Sequence, residues 1–218
     1  MLLRPLRAAL AVCLALGAVP ALAISLVTRN DFETGGVQGW SGGASNPAPP
    51  VVVDDGGPAG PGDAYLRVVS SGVDTAGSRL VAIAGAEWAG NYLAAGVTGI
   101  AMDLNNLGST DLSLRLLLTG PVPSSALSAT AILLPAGSGW THVVFATVPG
   151  ALSGAGAASL AGVTQLRVFH ATAAVFPGEP IAAALGLDNI SAVPEPAGAW
   201  LLTAGLAALG LRRARRAA

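Results

Sequence analysis

Between residues 24 and 192 the chain sustains no helical repeat. Short β-prone runs alternate instead with clusters of Gly, Pro, Ser and Asn, at spacings of roughly 8 to 15 residues. Such a chain can bury apolar area only by pairing strands and stacking sheets. The expected strands are 25–32, 51–53, 64–70, 78–83, 97–104, 112–118, 129–134, 141–148, 165–170 and 184–191. Leu112-Ser113-Leu114-Arg115-Leu116 and Gln165 to His170 alternate in period two, as strands with one wet and one buried face do. Stretch 154–162, rich in Gly and Ala, reads as a long loop or one short helix, and 46–61, with five prolines, as the most loop-like part. About ten strands predict an all-β fold, a single jelly-roll-like β-sandwich.

The body, residues 24–192, is flanked by two different segments. Residues 1–23 carry Arg4 and Arg7, an apolar run from Ala8 to Val19, and Ala21-Leu22-Ala23, which together predict a signal helix cleaved after Ala23 by signal peptidase following export through the translocon. A permanent N-terminal anchor is the alternative. The only cysteine, Cys13, lies in this segment, so the mature body is expected to hold no disulfide and no thiolate site. Hydrophobic residues make up 52% of the chain, but much of that is alanine, so the high mean hydropathy overstates membrane character. There is no lysine, and between Ile24 and Val193 five arginines face eleven acids. An acidic body repels phosphate backbones, which excludes nucleic acid as a partner.

At the far end, Val193 leads into Pro194, Glu195 and Pro196, an apolar run at 197–211 and then Arg212, Arg213, Arg215 and Arg216. The run is shorter than the roughly 20 residues that cross a bilayer upright, and the arginines would hold their end in the cytoplasm as a stop. The three parts in this order, over 193–216, resemble the PEP-CTERM sorting signal of Gram-negative bacteria. The resemblance implies a transmembrane helix at 197–211 that sits transiently in the inner membrane, a basic tail at 212–216, and exosortase, a membrane-embedded cysteine protease, reading Pro194, Glu195 and Pro196. It implies delivery to the cell surface or extracellular matrix, in bacteria that make exopolysaccharide. A plain C-terminal anchor is the alternative.

Within the body, Asn30-Asp31-Phe32-Glu33, Gly39-Trp40, Trp88-Ala89-Gly90-Asn91-Tyr92 and Leu187-Asp188-Asn189-Ile190 resemble landmarks of carbohydrate-binding and galactose-binding-like jelly rolls. The resemblance implies first and last strands lying side by side and a structural calcium between them, for which Asp31, Glu33 and Asp188 would supply oxygens. The alternative is that Asp31 and Asp188 cap turns and Glu33 is solvated. Trp88, Asn91 and Tyr92 form the expected sugar-binding cluster, aromatic faces stacking on a pyranose and the amide bonding its hydroxyls. Trp140, which leads a strand, is expected in the core. His142 and His170 lack a GxSxG or HExxH context and read as structural. Asp54, Asp55, Glu87 and Asp103 show no pattern that marks a hydrolytic pair. The expectation is a non-catalytic surface protein contacting polysaccharide; a matrix or adhesion protein without a sugar site, or a polysaccharide hydrolase, are the alternatives.

Overall fold

A computed structural model describes residues 24–43, 46–73 and 75–194. The expected signal segment, Glu195, Pro196, the apolar run and the arginine cluster lie outside the described residues. Among the described residues no helix is long and apolar enough to cross a membrane.

The body is a β-sandwich of two antiparallel sheets. One contains β1 (Arg29–Asn30), β2 (Val51–Val53), β3 (Tyr65–Ser71), β5 (Val97–Asn106), β9 (Trp140–Ala146) and β12 (Ala182–Pro194), in the order β2-β3-β12-β5-β9 with β1 added against the far half of β12. The other contains β4 (Val81–Ile83), β6 (Leu112–Thr119), β7 (Ser125–Ser128), β8 (Ile132–Leu134), β10 (Leu152–Gly154) and β11 (Gln165–His170), in the order β10-β7-β6-β11-β4 with β8 also on β6. One short helix, α1 (Gly156–Leu160), occupies the stretch that reads as loop or helix.

Period-two alternation sets the core. Ile100, Met102 and Leu104 on β5, Leu112, Leu114, Leu116 and Leu118 on β6, Leu166 and Val168 on β11, and Leu185 and Leu187 on β12 all point between the sheets and are buried. Each such side chain contributes about 1.5–3 kcal/mol by leaving water. The first and last strands are neighbours, Arg29 opposite Ser191 and Asn30 opposite Ile190. The first is shorter than expected. A turn from Ser25 to Thr28, tied by the Ser25 amide donating to Thr28 Oγ1 at 3.1 Å, occupies one end of it, and Phe32 at φ 58° ends the other.

The two sheets differ on their outer faces. That of the β6 sheet is covered: Leu117, Phe169 and Ala171 are buried there, Phe176 from the β11–β12 connection stands edge-on to Phe169 at 5.3 Å, and the Arg167 guanidinium lies 5.3 Å above Phe176. Arg115 is also buried on this face without a carboxylate. Its guanidinium donates to the carbonyls of Ala171, Ser128, Ala129 and Thr172, whose dipoles take the place of a counter-ion. The outer face of the β12 sheet is where exposed polar and aromatic side chains collect.

Candidate functional site

On that face the register puts side chains in rows across the strands. Arg67, Gly186, Asn105 and Trp140 share one row, since Gly186 pairs with both Arg67 and Asn105, and Asn105 with Trp140. Asp188, Asp103 and His142 occupy the next, with Tyr65 one step beyond the Leu66–Leu187 pair on β3. Trp140 has the parity of His142 and Val144, opposite to the buried Val143 and Phe145, so its ring leaves the core side altogether. It lies across Gly186: a Cβ there would stand 2.9 Å from Trp140 Cη2 and 3.3 Å from Tyr65 Cδ2. Tyr65 meets the indole edge-on at 5.2 Å, and Trp140 Nε1 donates to the Gly56 carbonyl at 2.9 Å. The indole is thus fixed by a missing side chain below, a ring at its edge and a hydrogen bond at its nitrogen. It keeps part of its surface open to solvent.

Beside it runs a polar chain. His142 Nδ1 is 2.7 Å from Asp103 Oδ1; Asn189 Nδ2 donates to Asp103 Oδ2 at 2.9 Å and to Asp188 Oδ2 at 3.1 Å; Arg29 Nη2 donates to Asn189 Oδ1 at 2.6 Å. Asn189 reaches both acids because it stands at a bulge of β12 with φ 50°, where asparagine tolerates the left-handed region. Asp103 therefore has both oxygens engaged, while His142 and Arg67 stay exposed. A flat aromatic ring flanked by an amide, an imidazole and a guanidinium can stack on an apolar ring face and bond its polar edge.

The expected cluster is elsewhere and is not a platform. Trp88 and Tyr92 have no exposed surface. Trp88 Nε1 donates to Asn30 Oδ1 at 2.6 Å, Trp40 Nε1 shares the same oxygen at 2.8 Å, and Tyr92 donates to the Trp88 carbonyl at 3.0 Å. Burial pushes the Tyr92 hydroxyl well above its ordinary pKa. A sandwich lined by Ala, Val and Leu uses these rings to close one end of its core. Asn91 is exposed, and its Oδ1 accepts from the Ala94 amide at 2.9 Å as a turn cap. The expectations for Trp88 and Tyr92 as exposed stacking faces, and for Trp140 as core, are thus reversed.

The expected calcium trio also separates. Asp31 is 3.7 Å from Arg29 Nε and accepts from Gln38 Nε2 at 3.3 Å. Glu33 Oε1 accepts from the Ala64 amide at 2.9 Å. Among the described residues no group of three His, Cys, Asp or Glu is placed to hold a metal. Asp188 is nonetheless unusual: it is buried, its Oδ1 has no hydrogen-bond partner, and its pKa is raised to about 7. Desolvation is the main cause; the Asn189 backbone amide opposes it, and the neighbouring charges of Asp63, Asp103 and Glu33 reinforce it. Asp63, which the sequence patterns do not single out, belongs to this acidic neighbourhood through the loop after β2.

No protein-family model matches the sequence, and no curated protein matches it. Solved structures match in shape. An exo-β-agarase aligns with a TM-score of 0.57 at 14% identity over 77% of this chain and 25% of its own. The chain thus spans about a quarter of that protein's length. CtCBM11, known from its solution structure and binding studies, aligns with a TM-score of 0.50 at 12% identity over 79% of this chain and 97% of its own. A family 11 carbohydrate-binding module from Clostridium thermocellum, in complex with a β-1,3-1,4-mixed-linked tetrasaccharide, aligns with a TM-score of 0.49 at 12% identity over 76% and 95%. At these identities the likeness is one of fold: the body has the jelly-roll sandwich of carbohydrate-binding modules.

Proposed function

We propose that the chain is an exported surface protein, sorted through its C-terminal segment by exosortase, whose sandwich binds polysaccharide without cleaving it. The carrying observation is Trp140, packed across Gly186 and braced by Tyr65 on the outer face of the β12 sheet, where it keeps part of its surface exposed. In this reading a sugar ring stacks on the indole, with Asn105, His142 and Arg67 bonding its hydroxyls. The jelly-roll fold shared with solved carbohydrate-binding modules supports it. The chain resides in the inner membrane transiently and then at the cell surface or in the matrix.

The reading includes a structural calcium, held by Asp188 and Glu33 without Asp31. The orphaned, buried Asp188 Oδ1 among other acids is a place where a hard cation would be favourable, and an all-oxygen donor set suits calcium. When bound, the ion would neutralise carboxylates that otherwise repel one another; backbone carbonyls and water would complete its shell.

Affinity electrophoresis in purified exopolysaccharide from the producing bacterium tests the platform. Retardation of the wild-type protein and its loss, by tenfold or more in apparent affinity, in Trp140→Ala is the expected result, an aromatic anchor being worth about 2 kcal/mol or more. Unchanged migration of the wild type would favour the matrix protein without a sugar site. Retention equal in wild type and Trp140→Ala would move the site off this face.

A further inference from the structure

One end of the sandwich is poor in charge: its loop tips carry none, with Arg29 and Glu87 standing behind them and Glu195 following the exit of the last strand. Pro194 leaves β12 there, opposite Val97, its carbonyl accepting from Thr98 Oγ1 at 3.0 Å. Five segments surround this exit. Turn 24–28 is held by the Ile24 amide donating to the Ala89 carbonyl at 2.7 Å and the Ala192 amide to the Thr28 carbonyl at 3.4 Å. Loop 89–96 is tied by Gly90 and Val163 in both directions at 2.7 Å and by the Tyr92 amide on the Leu160 carbonyl at 2.9 Å. Turn 120–124 begins at Gly120, whose Cα is backed by Ser159. Segment 147–150 starts at Thr147, whose amide donates to the Thr98 carbonyl at 2.8 Å. Segment 155–164 contains α1. None of the five contains Asp, Glu, Lys, Arg or His, whereas the connections at the opposite end carry Asp111, Glu179 and Arg79.

What this end does expose is apolar. Val122 is 96% and Val27 89% exposed, and Leu26, Leu93 and Val148 also face outward. Between loop 91–98 and segment 147–149 lies a cleft of about 360 Å³ lined by Leu93, Ala94, Val148 and Pro149 among others. The backbone bonds just described are satisfied within the protein, so the end can give up water cheaply. Charged side chains at the loop tips would not allow that.

The chain says what lies against it. The apolar run 197–211 begins three residues beyond Pro194, and three extended residues reach only about 10 Å. If that run enters a bilayer, the exit end of the sandwich is held at the bilayer surface. We propose that this end is a membrane-facing surface, resting on the phospholipid headgroup region with Val27, Leu93, Val122 and Val148 entering it. The contact is hydrophobic and therefore insensitive to salt. It sets the sandwich upright on its exit end. The proposal rests on the tail reading given above, and the experiment separates the two.

The full chain, with Cys13→Ser and a single cysteine in place of Val122 or of Leu133, is labelled with an environment-sensitive fluorophore and reconstituted into phosphatidylcholine vesicles carrying a headgroup nitroxide. Both positions are exposed, so labelling leaves the core intact. Co-flotation with vesicles that is lost when residues 197–211 are deleted reports the tail, the apolar run at 8–19 being common to both chains. Quenching reports the end: the label at position 122 should be quenched at least about twofold more than the one at 133, and equally in low and high salt. Flotation with equal quenching overturns the proposal and spares the tail. Absence of flotation overturns both. Self-quenching at 122 that grows with protein density, without nitroxide quenching, overturns it in favour of a contact between copies of the chain.

Discussion

Gly186 does more for the candidate site than any side chain except the indole itself. It is buried on the sheet between Leu185 and Leu187, which point into the core, so a side chain at 186 meets Trp140 and Tyr65 first. Gly186→Val should leave the fold intact and lift the ring, weakening retention in the polysaccharide gel about tenfold; circular dichroism should match the wild type. Part of this was legible. The parity of Trp140 with His142, against Val143 and Phe145, already excludes it from the core side, and the sparse aromatic content outweighed that signal. The fate of Trp88 and Tyr92 was not legible, because it depends on one acceptor, Asn30, distant in sequence, and on Leu160 and Val163 arriving from α1 and the turn that follows it.

Among the elements, the β11–β12 connection shows how local chemistry pins a segment over a sheet. The Ser113 amide donates to His170 Nδ1 at 3.0 Å, so the ring proton sits on Nε2, 3.3 Å from Glu179 Oε1, which also accepts from the Thr172 amide at 3.0 Å. Protonating Nδ1 would oppose two donors. Burial accordingly lowers the His170 pKa, with Glu179 working the other way through its charge and hydrogen bond. Burial alone would raise the Glu179 pKa, but its bonds from Thr172, a further backbone hydrogen bond and the His170 charge hold it below the usual carboxylate value. Both groups are depressed in the folded state, so their contribution is complete above the unfolded histidine pKa of about 6.5 and is lost as pH falls below it, first through His170 and then through Glu179. Asp188, whose folded pKa is raised, protonates over the same range and works the other way in any variant that keeps it. The signature is therefore a difference: from pH 7 to pH 5 the urea midpoint of the wild type should drop relative to that of His170→Gln. Sequence alternation revealed the long strands of both sheets, because each buries one apolar face. It missed Ser125–Ser128 and Leu152–Gly154, which pair with each other and are built of small residues and leucine without a β-branched side chain.

For the whole molecule, the joining of first and last strands makes the Asp188 neighbourhood a seam between the two ends of the body. A cation there would bind the native arrangement and not the unfolded chain, so calcium should raise the melting temperature by about 5 °C or more, EDTA should reverse the rise, and Asp188→Asn should abolish the response. An unchanged melting curve in all three conditions would leave Asp188 as a buried acid without a counter-ion. The strand-rich architecture and the neighbouring end strands follow from patterns anyone can read along the chain; the identity of the open face does not, since it depends on which sheet Phe176 happens to cover.

The last strand is also the middle one. β12 lies between β3 and β1 on one side and β5 on the other, and its ladder with β5 extends from Leu185 to Pro194. Tension applied at Pro194 runs along the strand axis, so it must shear many hydrogen bonds together instead of peeling them apart in turn. The indole platform rests on the same strand, at Gly186. A tether at one terminus and a polymer gripped at the other end of β12 would therefore pull on a single rod through the body, with the remaining strands acting as its sleeve.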